Sequence, residues 1–157
     1  MPPAPSPFQR ARLAGVLALV AWLAGCGVIG PSKQSVETFC TEVVPVISEW
    51  RADALKPFGT DEFNGRIGSA DQQRMFVVFS KLGGLASFQA PTMTGYTTST
   101  GKGTFVTVEV NAKFARGPAV IRMVLRSSGG DLKLNALNIR SPVFSDPSAR
   151  PSTVQQI

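Results

Sequence analysis

The sequence predicts an α+β fold with two amphipathic helices packed on a four-stranded curved antiparallel meander. Two observations carry this expectation. Apolar residues recur at steps of three and four up to about residue 82, then at steps of two from residue 85 onward. The change falls at Gly83-Gly84, which ends a helix and opens a region of β-branched runs separated by Gly-rich turns. A helix and a sheet each have one apolar side, so the helices are expected to cover one face of the sheet.

The first helix is expected over residues 33–56, where Val36, Phe39, Cys40, Val43, Ile47, Trp50 and Ala54 form one stripe. Ser32 or Ser35 suits its start and Pro57 its end. Pro45 lies within it, removes an amide donor and crowds the Thr41 carbonyl, so a kink is expected there. Residues 57–68 read as a loop whose Phe58, Phe63 and Ile67 fold back onto the core. The second helix is expected over 70–82, with Ser69 and Gln72 as a capping box and Met75, Phe76, Phe79 and Leu82 as its apolar side.

The strands follow in order. Residues 85–98 read as a weaker strand, joined by a loop over 99–103 to the strand 104–115. In the latter Val106, Val108, Val110, Ala112 and Phe114 alternate with Thr107, Glu109, Asn111 and Lys113, so one face is buried and one is wet. A turn at Gly117-Pro118 leads to a strand over 119–127, and Ser128-Gly129-Gly130-Asp131 to a last one over 132–140. Leu132 and Leu134 there fall out of phase with Leu137 and Ile139, which predicts a bulge near Ala136. The organisation is a leader over 1–25, a tether over 26–32, a single domain over 33–141 and a mostly disordered Pro-rich tail over 142–157.

The leader has Arg10 and Arg12 before an uncharged run from Leu13 to Gly25, which is the basic, apolar and small-residue order of a secretory signal. It is short for a permanent span, which takes about 20 apolar residues. Its end, Leu23-Ala24-Gly25-Cys26, resembles the lipobox of bacterial lipoproteins. That resemblance implies cleavage before Cys26, a diacylglyceryl thioether on its sulfur and an acylated amino group, hence a membrane anchor. Gly27 rather than Asp follows Cys26, which in a host with two membranes implies the outer one.

Net charge is +6, and it falls to +4 past residue 25 because Arg10 and Arg12 lie in the leader and no acid does. Seven acids against four bases occupy 32–71, and three against ten occupy 72–157. The positive field therefore belongs to the sheet half. Lys113, Arg122, Arg126, Lys133 and Arg140 sit at positions that neighbouring strands bring to one wet face, and they are the candidate partner-binding set. They suit an acidic envelope protein, glycan or lipid. Their scatter argues against nucleic acid. A merely solvated face, with Glu109, Asn111 and Asn135 interspersed, is the plainer alternative.

The chain has no His, which removes the commonest general base and metal ligand. Glu49 with Asp53, and Asp61 with Glu62, are carboxylate pairs without a recognisable partner. Asp61, Glu62 and Asp71 lack calcium-loop spacing. No metal, cofactor or catalytic residue is expected, and the chain reads as a non-enzyme. If Cys26 is lipidated, Cys40 has no intrachain partner; on an apolar stripe it suits a small buried hydrophobe, with an intermolecular disulfide or a reactive thiol as the other readings.

The order of one long helix, one shorter helix and a curved meander resembles the cystatin-like or nuclear-transport-factor-2-like fold over about 35–144. Phe105-Val106-Thr107-Val108-Glu109-Val110, Phe114, Ala119-Val120-Ile121 and Gly130-Asp131-Leu132-Lys133-Leu134 are similar to the closing strands of small secreted bacterial domains of this type. The resemblance implies a cone between the first helix and the sheet. This gives the alternative function, a small-molecule carrier or sensor whose apolar pocket would include Trp50 and Tyr96; the first reading is an anchored protein that binds another envelope component.

Overall fold

A computed structural model describes residues 30–145. Cys26, the expected leader and the residues after 145 lie outside the described part, and with them the expected lipidation site and most of the expected tail. Among the described residues the fold is α+β: four α-helices and one open antiparallel sheet of five strands.

Helix α1 (Lys33–Ile47) starts where Ser32 accepts the amide of Ser35 at 3.1 Å. Its Val36, Cys40, Val43, Val44 and Ile47 are buried. The expected kink inside a helix running to residue 56 is corrected: α1 stops two residues after Pro45, and the chain turns through Trp50 at φ 56°. Proline leaves the Thr41 carbonyl without its donor, so the helix keeps little to hold it for another turn. A short α2 (Ala52–Leu55) and a 3-10 turn (Lys56–Phe58) follow, and Leu55 rather than Ala54 reaches the core.

The expected loop over 57–68 is also corrected, since Asp61–Ile67 form α3. Thr60 caps it by accepting the amide of Phe63 at 3.1 Å, and Asp61, Glu62 and Arg66 complement the helix dipole at its two ends. Phe63 and Ile67, one turn apart, are buried as expected, and Phe58 packs against the core with its ring edge-on to Phe39 at 6.1 Å. Helix α4 (Ala70–Phe79) continues into a 3-10 turn (Ser80–Leu82), matching the expected span. Ser69 accepts the Gln72 amide at 3.4 Å, but the Ser69 amide goes to the Arg66 carbonyl, so the capping box closes on one side.

The sheet is formed by β1 (Leu85–Phe88), β2 (Thr92–Ser99), β3 (Gly103–Phe114), β4 (Gly117–Ser128) and β5 (Asp131–Arg140). Its order is β1/β2, β3, β4, β5, with β1 and β2 both paired to β3 on the same side. The single strand expected over 85–98 is thus two, a correction with a visible cause. Pairing with β3 slips between Leu85 and Ser87 and between Met93 and Gly95, and the segment joining β1 to β2 contains Pro91, which has no amide to give. The bulge expected near Ala136 is present: Val124 pairs with Ala136 and Leu125 with Leu134, leaving Asn135 as the extra residue.

One face of the sheet carries the core. Val106, Val108, Val110, Ile121, Met123, Leu125 and Leu134 are fully buried against α1, Leu55 and Leu82. The bulge also secures the β5 edge. Thr60 gives its amide to the Leu134 carbonyl at 2.9 Å, Arg66 donates to the Asn135 carbonyl at 2.7 Å, and Gly59 forms a parallel bridge with Leu134. Past β5, Pro142–Ser145 form a 3-10 turn, and Phe144 packs 5.8 Å from Phe79. Ordered packing therefore continues four residues beyond 141.

Candidate functional site

The register of the sheet decides which side chains share its outer face, opposite the helices. Val120 pairs with Asn111 and Arg140, Arg122 with Glu109 and Asn138, Arg126 with Phe105 and Lys133, and Pro118 with Lys113. Directly paired residues point to the same side. All five basic residues singled out in the sequence therefore stand on one face.

Their surroundings separate them into three groups. Arg126 holds the Glu62 carboxylate at 3.0 and 3.2 Å, and Lys133 donates to the Pro57 carbonyl at 2.9 Å. These two reach around the β5 edge and fasten α3 and the turn before it to the sheet. Arg122 and Arg140 share one acid, with Glu109 Oε1 at 4.0 Å from Arg122 Nε and 3.7 Å from Arg140 Nη2. Lys113 is exposed and makes no ion pair among the described residues. Arg122, Arg140 and Lys113 are thus the cations that face solvent with charge to spare.

Beside them lies a groove of about 610 Å³ at the β3–β4 hairpin end of the outer face. Val120 and Pro118 contribute to it from β4, Asn111 and Lys113 from β3, and Ser87 and Gln89 from the β1 side; Arg140 and Pro142 close it. A neighbouring depression of about 460 Å³ adds Glu109 and Ser141 and shares Val120, Arg140 and Pro142. The wall is fixed: the Ser141 hydroxyl donates to the Pro118 carbonyl at 2.7 Å and accepts the Val143 amide at 3.2 Å.

The two aromatic candidates are not brought together. Trp50 packs its ring 5.3 Å from Phe114 and 6.5 Å from Phe79. Tyr96, on β2, pairs with Val106 of β3, is 54% exposed and lies against Gly30. Phe114 and Val106 are eight strand residues apart, roughly 25 Å. The space between α1 and the sheet is occupied by the buried core, where Cys40 and Val43 are 0% exposed.

The carboxylate pairs are likewise dispersed. Asp53 is salt-bridged to Lys56 at 2.6 Å, and that hydrogen bond, with the lysine charge, holds its pKa below the ordinary aspartate value. Glu62 is also lowered, first by its own backbone amide and then by Arg126 and the Thr60 hydroxyl. Burial pushes the Cys40 thiol up to about 12. Among the described residues no three Cys, Asp or Glu side chains gather as a metal site.

The fold and this face define the class: an α+β domain with helices on one side of an open sheet and a cationic, grooved surface on the other. No family model matches the chain, and neither a curated protein nor a solved structure matches it significantly.

Proposed function

We propose that the chain is a bacterial envelope lipoprotein, anchored by lipid at Cys26, that captures another envelope component on the outer face of its sheet and performs no catalysis. The anchor reading rests on Leu23-Ala24-Gly25-Cys26 behind its basic and apolar leader, and Gly27 favours an outer membrane in a host that has one. Several acyl chains hold a protein effectively permanently, at about 0.8 kcal/mol per buried methylene. The observation that carries the binding reading is the register that sets Lys113, Arg122, Arg126, Lys133 and Arg140 on one face. A tethered protein needs only weak affinity, because the membrane raises the local concentration of both partners.

An acidic protein, glycan or lipid headgroup is the class of partner such a surface attracts. A cystatin-like or nuclear-transport-factor-2-like relationship is our reading of the helix-then-sheet order. The alternative, a carrier with an apolar cone under α1, is less favoured because the side chains there fill that space with core.

The test is intact-mass analysis and membrane fractionation beside Cys26→Ala, followed by crosslinking with Arg122→Glu. A lipid-sized mass gain and membrane association, both lost in Cys26→Ala, are expected, as is loss of partner crosslinks on charge reversal. Undiminished crosslinking would reject the outer face as the binding surface. Arg126 is the wrong choice for reversal, since it also holds Glu62.

A further inference from the structure

We propose that the groove at the β3–β4 hairpin end is a binding site for a small amphipathic anion, its apolar body on Val120, Pro118 and Pro142 and its carboxylate or phosphate between Lys113 and Arg140. The proposal rests on the outer face being the working face, and it names the chemistry recognised there.

Shape comes first. A space of about 610 Å³ falls within the roughly 300–1,000 Å³ of sites for small ligands. The register puts the short Ser87 and Pro118 on either side of Lys113 in one row and the short Val120 between Asn111 and Arg140 in the next, so the floor lies low among longer side chains. Pro142 stands over it on a turn fixed by the Ser141 hydroxyl, so the wall is formed before any ligand arrives. Pre-formed walls reduce the ordering cost of binding.

Charge comes second. Lys113 on β3 and Arg140 on β5 flank β4 from opposite sides. Lys113 is in register with Pro118 and Arg140 with Val120, so their backbones are two strand spacings across and two residues along the sheet, about 12 Å apart, a gap that two long side chains can close upon one anionic group. The groove itself is lined by two cations, Lys113 and Arg140, and by no acid; Glu109, in the neighbouring depression, is shared between Arg140 and Arg122. Lys113 has no acidic partner among the described residues. A neutral apolar ligand would leave that surplus unanswered, whereas an anion with an apolar body satisfies both floor and rim.

Position comes third. Gly30 and Pro31, the described residues nearest Cys26 in sequence, lie beside Gly103, Thr104 and the Ser127–Gly130 turn at the other end of β3. Lys113 is ten residues along that strand from Gly103, roughly 30 Å. The groove is therefore at the end remote from the chain's entry, and a protein anchored at Cys26 offers it away from its own anchor.

The test is fluorescence titration with 11-(dansylamino)undecanoate of the full chain carrying Cys26→Ala, so that no attached acyl chain competes. One saturable site per chain is expected. Laurate, dodecyl phosphate or both should displace the probe, and which of them does so identifies a fatty carboxylate or a lipid phosphate as the source. Dodecanol should compete at least about tenfold more weakly, and Lys113→Gln and Arg140→Gln should each weaken binding by about three- to tenfold. Lys102→Gln, the same charge change at the far end, should leave it unaltered. Equal competition by dodecanol, insensitivity to Lys113→Gln, or the lack of a saturable site would overturn the proposal. Cys26-dependent attachment and Arg122-dependent crosslinking are separate readouts, so the groove can fail while the anchored capture stands.

Discussion

The indole Nε1–H of Trp50 donates a 3.1 Å hydrogen bond to the carbonyl of Gly83, tying the turn after α1 to the turn before β1. Trp50 holds a left-handed backbone, φ 56°, that bulky residues rarely adopt. The strain is offset by this bond and by the ring's packing on Phe114 and Phe79. Trp50→Phe should therefore lose about 1 kcal/mol for the bond, and Trp50→Ala about 3 kcal/mol once the ring packing goes as well. Urea denaturation followed by circular dichroism measures both; equal losses would mean the ring packing contributes nothing.

Cys40 is 0% exposed on the buried side of α1, and burial raises its thiol to about 12 from the ordinary value of 9.0. The neutral thiol is favoured by the fold, so this contribution to stability is complete below pH 9 and is lost as pH rises from there toward 12. Thiol reagents at pH 8 should label Cys40 only after denaturation. Cys40→Ser, which buries a hydroxyl among Val36, Val43 and their sheet contacts, should cost about 1–3 kcal/mol.

Glu62 works in the opposite direction. Its carboxylate is stabilised by its own backbone amide, by Arg126 and by Thr60, and its pKa lies below the usual 4.5. That contribution is present above the ordinary glutamate range and disappears as pH falls through the lowered value. Comparing urea midpoints at pH 7 and pH 3, the acid-induced drop should be smaller in Glu62→Gln than in the parent. A residual drop is expected, because Asp53 is lowered in the same sense.

Gly103 opens β3 with φ 87°, and a Cβ there would stand 2.5 Å from the Ser127 carbonyl oxygen. Gly101 has a similar φ of 78° but open space around it. Gly103→Ala should therefore destabilise by about 2 kcal/mol or more, and Gly101→Ala by about 1 kcal/mol. Thermal melts that ranked them equally would show that φ alone, without the carbonyl contact, sets the cost.

What the sequence determined by itself were the features written in short-range periodicity. The α1 stripe, the alternation of Val106, Val108 and Val110, the Gly83-Gly84 change of period and the bulge beside Ala136 all follow from residues a few positions apart. The candidate face was legible for the same reason, since alternation fixes which residues of a strand point outward. Helix α3 had signals too: Thr60 before Asp61 and Glu62, with Phe63 and Ile67 one turn apart. They were masked by Asn64 and Gly65, which form helices poorly.

Tertiary structure alone decided how those outward cations are used. Arg126 and Lys133 look like Arg122 and Lys113 in the sequence, but α3 and the turn before it come against β5 and engage the first two with Glu62 and the Pro57 carbonyl. The groove is equally non-local, made where Ser141 bonds to Pro118 and brings Pro142 over β4. Trp50 and Tyr96, both plausible pocket aromatics along the chain, end at opposite ends of the sheet. Periodicity specifies the face a side chain takes, because that depends on backbone geometry within one element. Which partner it meets depends on chain segments many residues away, and only their packing settles it.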